Sequence, residues 1–336
     1  MDNTKNGFEW FAGGNAPLLF PTELVMGNFL GDDLTKVDIP ESYPFADVWG
    51  KTVSMHLSSE KYHPAPKYIV IAWFSIVEDK FYAVAEELPQ ELIATLLAEK
   101  NEKTKEPKYD TLIAGMAPYG KLAIWLSGNG ITTEVAWLQG KEIHVEMKDF
   151  APDSKLNREE YAKEALESCK EASENLWKNG LPDPLLFEQY MQKFNYRITP
   201  KFENKEFIFN GIELYYYNGE FDTTNAGEHA ENAMRAKPSK IVLRWSEGKK
   251  QYGAYFWTDE KKLIDTFKSV YGDEVQKEGS LMIEVKSSHK QFQFFLQTDD
   301  TSVEIPMEEI PHIIFKNKFE FFKSKNYNRG KGGWKY

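Results

Sequence analysis

The sequence predicts an α+β protein: two similar modules from an internal duplication, each a mainly antiparallel β-sheet with one packed helix, joined by a linker helix. Three observations predict it. The stretch Pro66-Lys67-Tyr68-Ile69-Val70-Ile71-Ala72-Trp73 recurs as Pro238-Ser239-Lys240-Ile241-Val242-Leu243-Arg244-Trp245, with proline and tryptophan both displaced by 172 positions. Phe, Tyr and Trp total 49, an enrichment that favours strands. A chain of 336 residues also matches about two domains at roughly 150 residues each. The expected organisation is a first module at 1–150, linker helices at 151–195, and a second module at 196–336 ending in a basic aromatic tail.

In the first module, residues 7–23 read as an aromatic segment with breakers, and Leu24–Leu30 as a short strand. Asp32 and Asp33 follow Gly31 as turn formers that tolerate the left-handed region, so no metal is assigned to them. Residues 36–66 carry four prolines and read as irregular, the kind of long loop that offers a binding surface. Tyr68–Val77 and Lys80–Glu86 form a hairpin turned at Glu78-Asp79. Leu88, Leu92, Ile93, Leu96 and Leu97 mark an amphipathic helix with Pro89 in its first turn. Thr111–Met116, Lys121–Ser127 and Thr132–Leu138 complete a meander, with Gly128-Asn129-Gly130 as its second turn.

Asn157–Lys178 is the clearest helical stretch. Asn157 and Glu160 form a capping-box pattern, and Tyr161, Ala165, Cys169, Ala172 and Leu176 mark one face, which makes Cys169 a small packed residue. Gly180 and Pro182 stop it, and a short helix follows from Asp183-Pro184 to about Lys193. The second module opens with Phe207–Phe209 and Glu213–Tyr217 as a strand pair turned at Asn210-Gly211. Residues 221–237 form its long loop. From Ile241 the correspondence is nearly residue by residue: Tyr82 with Tyr252, Ile113 with Ile283, Leu126 with Leu296 and Glu134 with Glu304, each 170 positions apart. The turn Gly115–Gly120 becomes Val285–Lys290, so its glycines are not demanded by the fold. No strand-to-helix context follows it, which argues against a phosphate loop.

The formal charge of −11 argues against a general nucleic-acid binder and suits a soluble protein or one meeting a basic partner. Cys169 is the only cysteine, so no internal disulfide forms. No apolar run approaches the ~20 residues of a membrane span. The polar start, Met1 to Gly7, lacks the apolar stretch of a signal, which reads as cytoplasmic, or periplasmic if a signal segment was removed. Lys316 to Tyr336 carries seven basic residues against Glu320 alone, interleaved with aromatics. We read it as a final strand, Ile313–Phe322, followed by a Gly-rich end.

Three stretches carry a family resemblance: Pro66–Trp73; Tyr109–Gly120 running into Ala123-Ile124-Trp125-Leu126-Ser127-Gly128; and Phe315-Lys316-Asn317-Lys318-Phe319-Glu320-Phe321-Phe322. They resemble a bacterial family catalogued as domain of unknown function 2931, and the resemblance covers most of the chain. It carries over no catalytic residues. Some relatives are lipoproteins encoded beside type VI secretion lipase effectors, which implies an immunity role. This chain differs from those in lacking the signal and the lipid-bearing cysteine.

The expected function is a non-enzymatic protein-binding module, most concretely an immunity protein that neutralises a secreted toxic effector. No cofactor, metal, nucleic acid or transmembrane segment is expected. The loops at 31–65 and 219–237 would make the contacts, with Asp32, Asp33, Glu60, Glu228 and Glu231 binding the partner. Two alternatives stay open. One is a hydrolase drawing His63, His144, His229, Glu146 and Glu228 from both modules. The other is a structural subunit docked by the basic tail.

Overall fold

The computed structural model describes residues 7–41, 44–52, 54–55, 62–225, 231–305, 312–316 and 320–322. It is a mixed α+β chain with mostly antiparallel sheets, and it divides into two compact units after Phe187.

In chain order the first unit carries β1 (Phe8–Glu9), β2 (Phe11–Asn15), β3 (Thr22–Leu30), β4 (Lys36–Asp38), β5 (Ser54–Met55) and β6 (Tyr62–His63). Next come β7 (Tyr68–Ser75), β8 (Lys80–Glu87), α1 (Gln90–Ala98), β9 (Thr111–Ala117), β10 (Lys121–Gly128), β11 (Ile131–Gln139) and β12 (Lys141–Ile143). The helices α2 (Met147–Phe150), α3 (Arg158–Ser168) and α4 (Lys170–Asn179) follow. One sheet has the order β12-β8-β7-β3-β4, and a second hydrogen-bonded run has the order β11-β10-β9-β2-β5. Only the β2–β9 pair is parallel among these. The inward residues of both, with Ile93 and Leu97 from α1, form one core. Trp73 lies in it directly across from Tyr82, the ring centres 5.8 Å apart.

The run Tyr68–Ser75 alternates poorly because both of its faces are covered. Phe74 and Phe81 point away from the main core and need a second cover. It comes from α2 and α3: Phe150 lies 5.1 Å from Phe81 and 5.5 Å from Tyr161, and Ala162 is buried with them. The capping box starts α3 as its sequence predicts, with Glu160 N donating to Asn157 Oδ1 at 3.0 Å and Asn157 N to Glu160 Oε2 at 3.1 Å. The single helix expected over 157–178 is two. The chain breaks at Cys169, whose ψ of 73° is not helical, so α3 ends and α4 starts on either side of it. Cys169 is therefore half-exposed at a break and not part of a packed face.

The second unit begins within α5 (Leu186–Met191) and carries β13 (Phe194–Phe202), β14 (Phe207–Tyr216), β15 (Phe221–Asn225) and β16 (Ala233–Arg235). Then come β17 (Pro238–Glu247), β18 (Lys250–Trp257), α6 (Glu260–Tyr271), β19 (Gly279–Val285), β20 (Phe292–Thr298) and β21 (Ser302–Ile305). The final strands are β22 (His312–Lys316) and β23 (Glu320–Phe322). Its runs are β22-β18-β17-β14-β15, with β23 paired outside β22, and β16-β13-β19-β20-β21, in which β13–β19 is parallel. This is the connectivity of the first unit. Leu263, Phe267, Val270 and Tyr271 of α6 close the core, and Trp245 faces Tyr252.

Two strand expectations need correction. Asn210-Gly211 does not turn a hairpin. It is a bulge within one continuous strand, β14, whose ladders to β15 and β17 on either side hold the chain extended. The expected single strand Ile313–Phe322 is the antiparallel pair β22–β23.

Phe74→Ala should lower the unfolding free energy by about 3–5 kcal/mol in chemical denaturation. Amide exchange across α3 should accelerate at the same time. Unchanged protection there would show that α3 is held by other contacts.

Candidate functional site

Between β3 and β4 the chain turns over Gly31–Thr35. Gly31 N donates to Thr35 O at 2.9 Å, Leu34 N to Gly31 O at 3.0 Å, and Thr35 N to the Asp33 carboxylate at 2.9 Å. Gly31 is required by close approach: a Cβ there would lie 2.8 Å from Pro64. Asp32 is braced from two other elements. Lys67 Nζ stands 3.0 Å from Oδ1, and Gln90 Nε2, at the start of α1, donates to Oδ2 at 3.0 Å and to Ala65 O at 2.9 Å. The Lys67 backbone N also donates to Leu30 O at 2.8 Å, so its side chain starts beside the turn.

This bracing fixes the charge. Lys67 first, then Gln90, hold the Asp32 carboxyl below its ordinary pKa, and Asp32 raises Lys67 in return. Bonds from Thr35 lower Asp33 likewise. Carboxyls lowered in the folded state stay ionised at every pH above the carboxylate range, so the turn is anionic throughout neutral conditions. At its tip Leu34 is 69% exposed and held at φ +63°, a region that L side chains other than Asn and Asp avoid. The result is a fixed apolar knob directly after two carboxylates in the turn.

Glu60, Glu228 and His229 lie outside the described residues. Glu231 is exposed, and its backbone carbonyl accepts from Arg235 at 3.3 Å. His144 and Glu146 form an exposed pair at 2.8 Å, which lowers Glu146. His63 is buried edge-on against Trp10, with neither ring nitrogen hydrogen-bonded. At the turn Pro118–Gly120, Glu78 accepts from Tyr119 N at 3.0 Å and from the hydroxyls of Ser75 and Tyr82 at 2.7 and 2.9 Å. A carboxylate thus occupies the amide that a phosphate loop would offer to its ligand. Among the described residues no group of three or more His, Cys, Asp or Glu could hold a metal ion, and no helix is long and apolar enough to cross a membrane.

Residues 1–178 match the family described as "Protein of unknown function (DUF2931)", more than half of the chain and the part that includes the acidic turn. The chain belongs to this family. No curated protein and no solved structure matches it.

Sequence reasoning on this DUF2931 chain marked Asp32 and Asp33 but missed Leu34, Lys67 and Gln90. It also missed Lys237, which is 1% exposed. The Lys237 Nζ lies 4.8 Å from the Phe194 ring centre, and its hydrogen bond is a long one, 3.5 Å to Gln192 O. Burial pushes this amine down to about 8. The folded state therefore binds fewer protons than the unfolded chain between about 8 and the ordinary lysine value. Stability then rises with pH across that window, and the penalty is complete below it.

Two outcomes follow from these groups. Leu34→Asn should raise stability by about 0.5–1 kcal/mol in urea titration, because Asn accepts the left-handed region and an exposed leucine gives up little burial. Lys237→Met should stabilise the chain by on the order of 2–3 kcal/mol at neutral pH, an advantage that shrinks as pH rises above 8. A gain independent of pH would mean the amine is not desolvated.

Proposed function

We propose that this chain is a non-enzymatic protein-binding module, and that its most concrete role is that of an immunity protein occluding a secreted toxic effector. The observation that carries the reading is Leu34. A leucine kept at an unfavourable φ and exposed to water is a local expense that folding does not require, since Asn or Gly would sit there more easily. Strain of this kind is retained where a partner uses it. The two carboxylates that precede it in the turn select a partner with an apolar socket and a basic rim. They speed its association more than they set its affinity.

We also read the two units as copies of one ancestral unit. Their common strand order supports this, as do the matching parallel pairs β2–β9 and β13–β19 and the sequence offsets of 170–172. In that reading the acidic turn is a specialisation of the first copy, which is the copy the family description spans.

The test is affinity capture of the tagged full-length protein from its host, with Leu34→Asp and a double Asp32→Lys, Asp33→Lys variant in parallel. One stoichiometric secreted protein should be recovered by the native chain. The leucine variant should weaken that complex about ten-fold or more, and the charge variant should reduce the salt dependence of association. Equal recovery by all three would remove the turn from the interface.

A further inference from the structure

A second surface of the first unit is built differently from the acidic turn. On α4 the side chains Lys170, Glu171, Glu174, Trp177 and Lys178 recur at helical spacing along one exposed stripe, opposite buried Ala172. Trp177 is 90% exposed. Leu181 and Leu185, just beyond Gly180, extend the apolar surface. Nothing in α4 explains a tryptophan there, because Ala172 already supplies the buried side of the helix.

The charges around the tryptophan are the second observation. Two acids and two bases share the stripe, and none of the four is in an ion pair among the described residues. Lys170 and the acids Glu171 and Glu174 precede Trp177, and Lys178 follows it. Such a stripe complements itself when reversed. With two copies antiparallel about a dyad near Leu176, Glu174 of each faces Lys178 of the other, and the two indoles meet at the centre. The helix dipoles also oppose. A uniformly acidic or basic partner would meet one repulsive pair for every attractive one. We infer that the α4 stripe is a homodimer interface, and that its occupant is a second copy of this chain.

The size of the patch sets the strength. One tryptophan and two partly exposed leucines offer roughly 400 Å² per copy, about half of the ~800 Å² per partner in a stable complex. The dimer is therefore weak and concentration-dependent. It stands whether or not the acidic turn binds a partner. If the turn does, dimerisation presents two such turns and adds avidity toward a multivalent target.

Sedimentation velocity over a concentration series of the full-length protein tests this. The native chain should shift from monomer toward dimer. Trp177→Ala should weaken the association about ten-fold or more, and its exposed position leaves the fold intact. Glu174→Lys and Lys178→Glu should each weaken it, and the double swap should restore it. Leu34→Asn should leave it unchanged, which separates this interface from the acidic turn. A native chain that stays monomeric throughout the series overturns the proposal. So does a dimer indifferent to Trp177→Ala, or a charge swap that fails to rescue.

Discussion

The structure of the first unit depends on one strand that cannot face water. Tyr68–Ser75 presents Ile69, Ile71 and Trp73 to one side and Phe74 to the other, and all four are buried. A sheet whose central strand is apolar on both faces needs two covers. The second strand run and α1 supply the inner one, and α2 with α3 supply the outer one. The helical segment after the meander is therefore part of the first unit's packing, fastened by the aromatic chain from Phe74 through Phe150 to Tyr161. The bond from Tyr161 to buried Glu23, 2.8 Å long, completes it.

This constraint explains how far the fold could be read from the sequence. The β7–β8 hairpin and the β9–β10–β11 meander were legible as apolar runs of strand length between turns that carry Gly, Asn and Asp, and α1 by its helical period. The capping box of α3 was legible because it needs only two residues three apart. The failures have separate causes. Asn210-Gly211 permits a hairpin and a bulge equally, and the choice was made by ladders from strands distant in sequence. The break at Cys169 leaves the 3.6-residue pattern nearly in phase on both sides, so periodicity ran straight through it.

The candidate site divides along the same line. Asp32 and Asp33 were visible as turn formers with charge. Their fixed arrangement was not, because Lys67 and Gln90 come from separate elements that only the sheet brings together. Leu34 was hidden for a different reason. A left-handed residue is inferred from Gly or Asn, so a leucine in that position carries no signal at all. The feature that sets the turn apart, an exposed leucine at positive φ, is the one that breaks the local rule.

The Trp–Tyr pair shows where the units diverge. In the second unit the Trp245 indole donates to His289 Nδ1 at 3.1 Å, and His289 is stacked between Tyr252 at 3.9 Å and Phe207 at 4.3 Å. The residue 170 positions earlier is Tyr119, at φ +62° where His289 has +59°. The φ is shared, but Tyr119 donates its hydroxyl outward to Pro182 O at 2.8 Å. The buried indole of Trp73 is left without a hydrogen-bond partner, a cost of about 1–3 kcal/mol. Under the duplication we propose, the corresponding position serves two ends. In one unit it seals the core with an imidazole. In the other it gives up that seal and ties the sheet to the segment after α4, which holds the Leu181–Leu185 end of the exposed stripe near a fixed point of the fold.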